Sequence, residues 1–171
     1  HLSFTKPLQM PLFIKEIDHG ENISFMGDSL KLIVMRDQNK GSSVEIKDHH
    51  LFVRVKGSNV STARVLEKWY RSQAAHVFKH KADRFQEMMG LKYNRIWIRG
   101  QKTRWGSCSH SGNLTFNWKL LLAPEPVIDY VVIHELAHIK HMNHSARFWD
   151  FVGSFCPEWR KHRKWLSLHE E

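Results

Sequence analysis

Between Val131 and Trp149 the chain reads VVIHELAHIKHMNHSARFW, which places four histidines and one glutamate within nineteen residues. Histidine is common in this sequence, at 13 of 171 residues, so a bare H-E-x-x-H carries little weight and its context must decide. On a helix, positions four apart share a face, so His134 and His138 can direct their imidazoles at one ion. Glu135 then projects beside that ion, within reach of a water, without being a ligand. Val131, Val132, Ile133, Leu136 and Ala137 mark the helix as buried. Buried without partners, these His and Glu side chains would cost several kcal/mol, whereas a metal ion and its water satisfy them.

A catalytic zinc usually takes three protein ligands and keeps one position open. His144 is the expected third, six residues beyond His138. That interval matches the metzincin pattern H-E-x-x-H-x-x-G-x-x-H, although His141 stands where that pattern has glycine. Asn143, tolerant of a left-handed backbone, is the expected bend. His141 is read as a neighbour of the site rather than a ligand, and Glu158 and His162 as further ligands should the chain fold back. Cys108 has no histidine spaced to make it a ligand or nucleophile and reads as a packed thiol in a turn. Arg104 suits either a carboxylate on the active helix or an anionic substrate.

The elements that must position this site can be read coarsely. SLKLIVM puts Leu30, Leu32 and Val34 on one face of a strand; VEIK and HLFVRV follow, which suggests an N-terminal antiparallel β-meander. From about Ser61 to Met89 there is no Gly or Pro. Val65, Leu66, Trp69, Tyr70, Val77, Phe78, Phe85, Met88 and Met89 recur there at helical intervals, Lys and Arg fill much of the other face, and Gly90 is placed to end the helix. NRIWIRG and NLTFNW read as strands flanking the turn-rich QKTRWGSCSHSG. Pro124 and Pro126 precede the H-E-x-x-H helix, and SARFWDFVGSF and EWRKHRKWL make two more.

The stretch from Arg104 to Val152 resembles the core of the YgjP-like metallopeptidases, relatives of the SprT-like and WLM zincin groups. Three features carry the resemblance in order: R-W-G-S-C, the N-W ending the next strand, and H-E-L-A-H continuing into H-M-N-H-S and F-W. It extends more loosely through the basic helix and the N-terminal strands. The resemblance implies an α+β, zincin-like metallopeptidase domain, with Zn2+ on His134, His138 and His144 and Glu135 as general base. His141 at the glycine position is ordinary in this family. The expected organisation is one domain over 1–171, with an N-terminal β subdomain at 1–57 and the catalytic core at 58–171. Strand NLTFNW is the expected edge for an extended peptide.

Composition narrows the partners. With 42% hydrophobic residues the chain can build a core, and no apolar run approaches a membrane span. The chain begins with His1 rather than Met, which points to a trimmed start; the first residues lack a signal-peptide pattern, and two cysteines make no disulfide framework. A reduced, cytoplasmic protein follows as the expectation. The leading reading is a zinc-dependent hydrolase acting on a peptide or protein. The net charge of +9 also admits a nucleotide (UTP-type) pyrophosphohydrolase, an annotation that some members of the family carry. A nucleic-acid-binding module with a structural zinc is the rival of another class, suggested by the basic–aromatic tail WRKHRKW.

Overall fold

A computed structural model describes residues 18–100 and 104–169. The N-terminal stretch and the first three residues of the turn-rich segment, and what is expected of them, lie outside the described residues. The chain is α+β, as expected. Strands β1 (Asn22–Phe25), β2 (Asp28–Asp37), β3 (Ser43–Lys47) and β4 (His50–Lys56) form one sheet; α1 (Thr62–Met89) follows. Strands β5 (Ile96–Arg99), β6 (Gly106–Cys108) and β7 (Leu114–Asn117) form a second sheet, after which a 3-10 turn (Trp118–Leu122) leads to α2 (Glu125–Ala137), α3 (Ala146–Phe155) and α4 (Trp159–Ser167).

The first sheet departs from the expected meander. Its order is β1-β2-β4-β3, with β2 and β4 parallel and the other pairs antiparallel. The reason lies in what each strand can bury. β4 alternates fully buried Leu51, Val53 and Val55 with half-buried residues, whereas SVEIK of β3 is almost wholly exposed. Placing β4 inside and β3 at the edge gives the apolar strand two hydrogen-bonded neighbours and leaves Glu45 and Lys47 in water.

α1 spans both sheets. Leu66, Tyr70, Ala74, Phe78, Ala82, Phe85 and Met89 form one buried stripe at intervals of four or three, and Gly90 ends the helix in the left-handed region at φ 66°. Tyr70 donates through Oη to the Ser24 carbonyl at 2.6 Å, and Phe78 stacks on Phe116 of β7 with ring centroids 4.5 Å apart. Met88, expected inside, is exposed. Lys81 is buried instead. Its Nζ lies 2.8 Å from Glu125 and 2.6 Å from Asp129, which clamps α1 to the first turns of α2. No helix among the described residues is long and apolar enough to cross a membrane.

Candidate functional site

α2 is the buried centre of the site. Pro126 sits in its first turn, where the missing N–H is no loss, and Glu125 there faces the positive end of the helix dipole. Apolar residues from Val127 to Ala137 pack it on all sides, and Glu135 and His138 are buried among them. After Ala137 the backbone tightens: His138, Ile139 and Lys140 each donate to the carbonyl three residues back. No residue of this turn has positive φ, so Asn143 does not supply a left-handed bend. Repeated i→i+3 closure does the turning instead. His144 then arrives just ahead of Ser145, whose hydroxyl caps α3 by accepting from Phe148 N.

The three imidazoles converge. Nε2 of His134 is 3.2 Å from Nε2 of His138 and 3.2 Å from Nε2 of His144. Tetrahedral coordination at a bond length of about 2.0–2.1 Å sets neighbouring donor atoms roughly 3.3 Å apart. Among the described residues this is the His, Cys, Asp and Glu group that could hold a metal ion. The second nitrogens support the same orientation. Nδ1 of His138 lies 3.0 Å from the His141 carbonyl, which only accepts, so Nδ1 carries the proton and Nε2 keeps its lone pair. Nδ1 of His134 lies 3.2 Å from Tyr130 Oη, which accepts a hydrogen bond when Nδ1 carries the proton and Nε2 keeps its lone pair. Phe148, fully buried, lies against all three rings, at centroid distances of 5.0, 4.5 and 5.0 Å from His134, His138 and His144.

Glu135 stands beside this cluster. Its Oε1 is 4.0 Å from His134 Nε2. Burial pushes its carboxyl up to about 8, against the opposing pull of the Arg104 guanidinium. Burial likewise holds His134 down at about 3, helped by the charges of His138, His144 and Arg163. Gly106 of β6 forms the wall behind the carboxylate: a Cβ there would stand 3.0 Å from Glu135 Cγ. Cys108 faces the same space, its thiol raised to about 11 by burial and then by Glu135, so it is held protonated. The whole opens into a cleft of about 620 Å³, walled by β6 and Arg104 and by Arg163, Leu166 and Ser167 around α4.

The structure thus brings together His134, Glu135, His138 and His144. It keeps Glu158 and His162 out of the cluster: Glu158 precedes α4, and His162 packs its ring against Tyr130 at 6.2 Å. His141 contributes its backbone carbonyl. His110 does not line the cleft, whereas Tyr130 and Arg104 do. Strand β7 is not an edge, because β5 and β6 pair on its two sides and its Leu114, Phe116 and Asn117 are buried. The terminal strand of that sheet beside the cleft is β6. Sequence reasoning gave no role to Phe148, Gly106 or Arg163. A helical wheel of α3 places Phe148 and Val152 inward, but nothing local ties Arg163 to the cleft.

The family described as YgjP-like, metallopeptidase domain matches residues 9–169. Among solved structures, the chain is similar to the metallopeptidase zymogen of Pyrococcus abyssi abylysin, with 26% identity and a TM-score of 0.46, covering 50% of this chain and 87% of that one. It is also similar to the zymogen of Methanocaldococcus jannaschii jannalysin, with 22% identity and a TM-score of 0.43, covering 48% and 89%. No curated protein matches the chain.

Proposed function

Since the chain belongs to the YgjP-like metallopeptidase domain family, we propose that it is a zinc peptidase in which His134, His138 and His144 hold the ion and Glu135 is the general base. The observation that carries this reading is the convergence of three Nε2 atoms at ligand spacing, with His138 Nδ1 fixed by a carbonyl. Zinc, when bound, acts as a Lewis acid that polarises a carbonyl and brings the pKa of water down to about 7. Glu135 takes the proton from the attacking water and returns it to the leaving amine. A carboxyl whose burial raises it toward neutrality can do both, and Arg104 keeps it from rising further. Tyr130 holds the His134 ring in place, and Phe148 braces all three imidazoles. An extended peptide can add to the outer side of β6 through main-chain hydrogen bonds, which lays its scissile bond beside Glu135.

The test pairs metal content with turnover on peptide substrates. Wild type should hold about one zinc per chain, His144→Ala should lose most of its affinity for it, and Glu135→Gln should keep the metal while losing about 100-fold or more in kcat. A His144→Ala protein that binds zinc like wild type moves the third ligand elsewhere. A Glu135→Gln protein with full zinc and unchanged turnover removes Glu135 from the chemistry.

A further inference from the structure

The cleft has an unbalanced charge. Among the described residues lining it, Glu135 is the one acid, against the two guanidinium groups of Arg104 and Arg163. Arg163 comes from α4 and lies with its guanidinium 5.0 Å from the centre of the Trp149 ring. That ring is itself fixed: it stacks on Trp159 at 4.1 Å and lies nearly parallel to His144, at 22° and 5.6 Å. Among the described residues Arg163 forms no ion pair. Arg163 lines the cleft together with His134, His138 and His144. Arg163 is therefore a guanidinium held by an aromatic face, its charge not balanced by a carboxylate among the described residues, at the wall of the cleft.

Resting on the peptidase reading, we infer that Arg163 is a specificity residue that takes the carboxylate of an acidic side chain of the substrate close to the scissile bond. The planar fork of a guanidinium matches a carboxylate in a two-point hydrogen bond, and stacking on Trp149 limits the side-chain freedom lost when the pair forms. Three nearby positive charges — those of Arg104, Arg163 and the ion the histidines are shaped for — favour an anionic over a neutral peptide. A group that acted only by packing on Trp149 would give no preference between a carboxylate and its amide.

The experiment uses the zinc-loaded full chain and paired libraries of acetylated hexapeptides that differ by Glu or Gln at one position at a time. Binding is read from tryptophan fluorescence in a Glu135→Gln background, so that peptides stay intact, and turnover is read with Glu135 present. One position should show a Glu over Gln preference of roughly ten-fold that shrinks with added salt. Arg163→Gln should reduce this ratio to below two-fold, and Arg163→Lys should retain part of it. A preference that survives Arg163→Gln, or no preference in wild type, overturns the assignment. So does an equal loss of kcat on both peptides, which would make Arg163 a stabiliser of the transition state. If Arg163 discriminates a nucleoside triphosphate from its nucleoside but not Glu from Gln, the site reads phosphate and the carboxylate assignment falls. Intact Glu over Gln discrimination with no hydrolysis of any peptide leaves the carboxylate site standing and sinks the peptidase reading alone.

Discussion

Gly106→Ala tests whether the position of Glu135 is set by the wall behind it. The added Cβ would stand 3.0 Å from Glu135 Cγ, 3.1 Å from Thr115 O and 3.3 Å from Glu135 Oε1. Carbon atoms in comfortable contact lie about 3.5–4.0 Å apart, so several tenths of an ångström must be found. Thr115 O cannot retreat, because Thr115 sits opposite Ser107 in the β6–β7 ladder. Glu135 has to move. Gly106 needs no left-handed backbone, so alanine introduces no φ strain and the effect is confined to this contact. Overpacking of this kind costs about 1–3 kcal/mol, and the Cβ reaches the carboxylate directly. Misplacing a base that contributes 10²–10⁴ by part of an ångström should lower kcat by about 10- to 100-fold. The zinc content should stay near wild type, since no atom of the three histidines is among the Cβ's nearest contacts. The assay is kcat on a peptide substrate with zinc measured on the same sample. Gly153→Ala, which meets only Trp159 atoms at 3.5 Å or beyond, serves as the control and should leave kcat unchanged. If Gly106→Ala turns over within two-fold of wild type with full zinc, either the wall does not hold Glu135 or Glu135 is not the base.

Tyr130→Phe removes the oxygen 3.2 Å from His134 Nδ1 and should weaken zinc binding about 10- to 100-fold in a chelator competition; an unchanged affinity would show that this contact does not orient the ring. Lys81→Met should lower stability by about 1–3 kcal/mol in urea unfolding, below the figure for a fully buried pair because Glu125 and Asp129 are partly exposed; no change would mean that the clamp between α1 and α2 contributes nothing. Metal-free protein should be most stable near pH 6.5. Below that, stability falls as the folded state, with His134 held at about 3 and His138 also lowered, binds fewer protons than the unfolded chain. Above it, stability falls toward pH 8, because the folded state keeps a proton on Glu135 that the unfolded chain has released. Glu135→Gln should flatten that upper limb, and a limb that persists must come from another group.

What could be read from the sequence was local. His134, Glu135 and His138 share one turn of helix, and His144 follows within a loop too short to wander, so their meeting depends on spacing alone. The order of the first sheet was not legible, because parallel pairing of β2 with β4 is a choice between distant partners. Alternation marks both strands equally well in a meander and in the observed order. What separates the two is the relative apolarity of β3 and β4, a comparison across strands rather than within one. The same limit hid the role of NLTFNW. Its Leu114 and Phe116 alternate as in a half-buried strand, yet Asn117 is buried as well, and a strand with partners on both sides results.

Lys81 shows that spacing decides where composition does not. A run of lysines and arginines along a helix suggests a face for phosphates, but Lys81 follows Phe78 by three and precedes Phe85 by four, which places it on the buried stripe. A lysine there requires carboxylates, and Glu125 and Asp129, themselves four apart on α2, present them on one face. Lys79 pairs with Asp83 and Arg71 with Glu67, so further positive charge on α1 is matched within the helix. The net charge of the chain is therefore a poor guide to where an anion would bind. Charge without a matching partner among the described residues matters more, and in the cleft it stands at Arg163, which lines it with the histidines. A basic surface helix argues for a polyanion only when its cations are free, and on α1 Arg71, Lys79 and Lys81 are engaged.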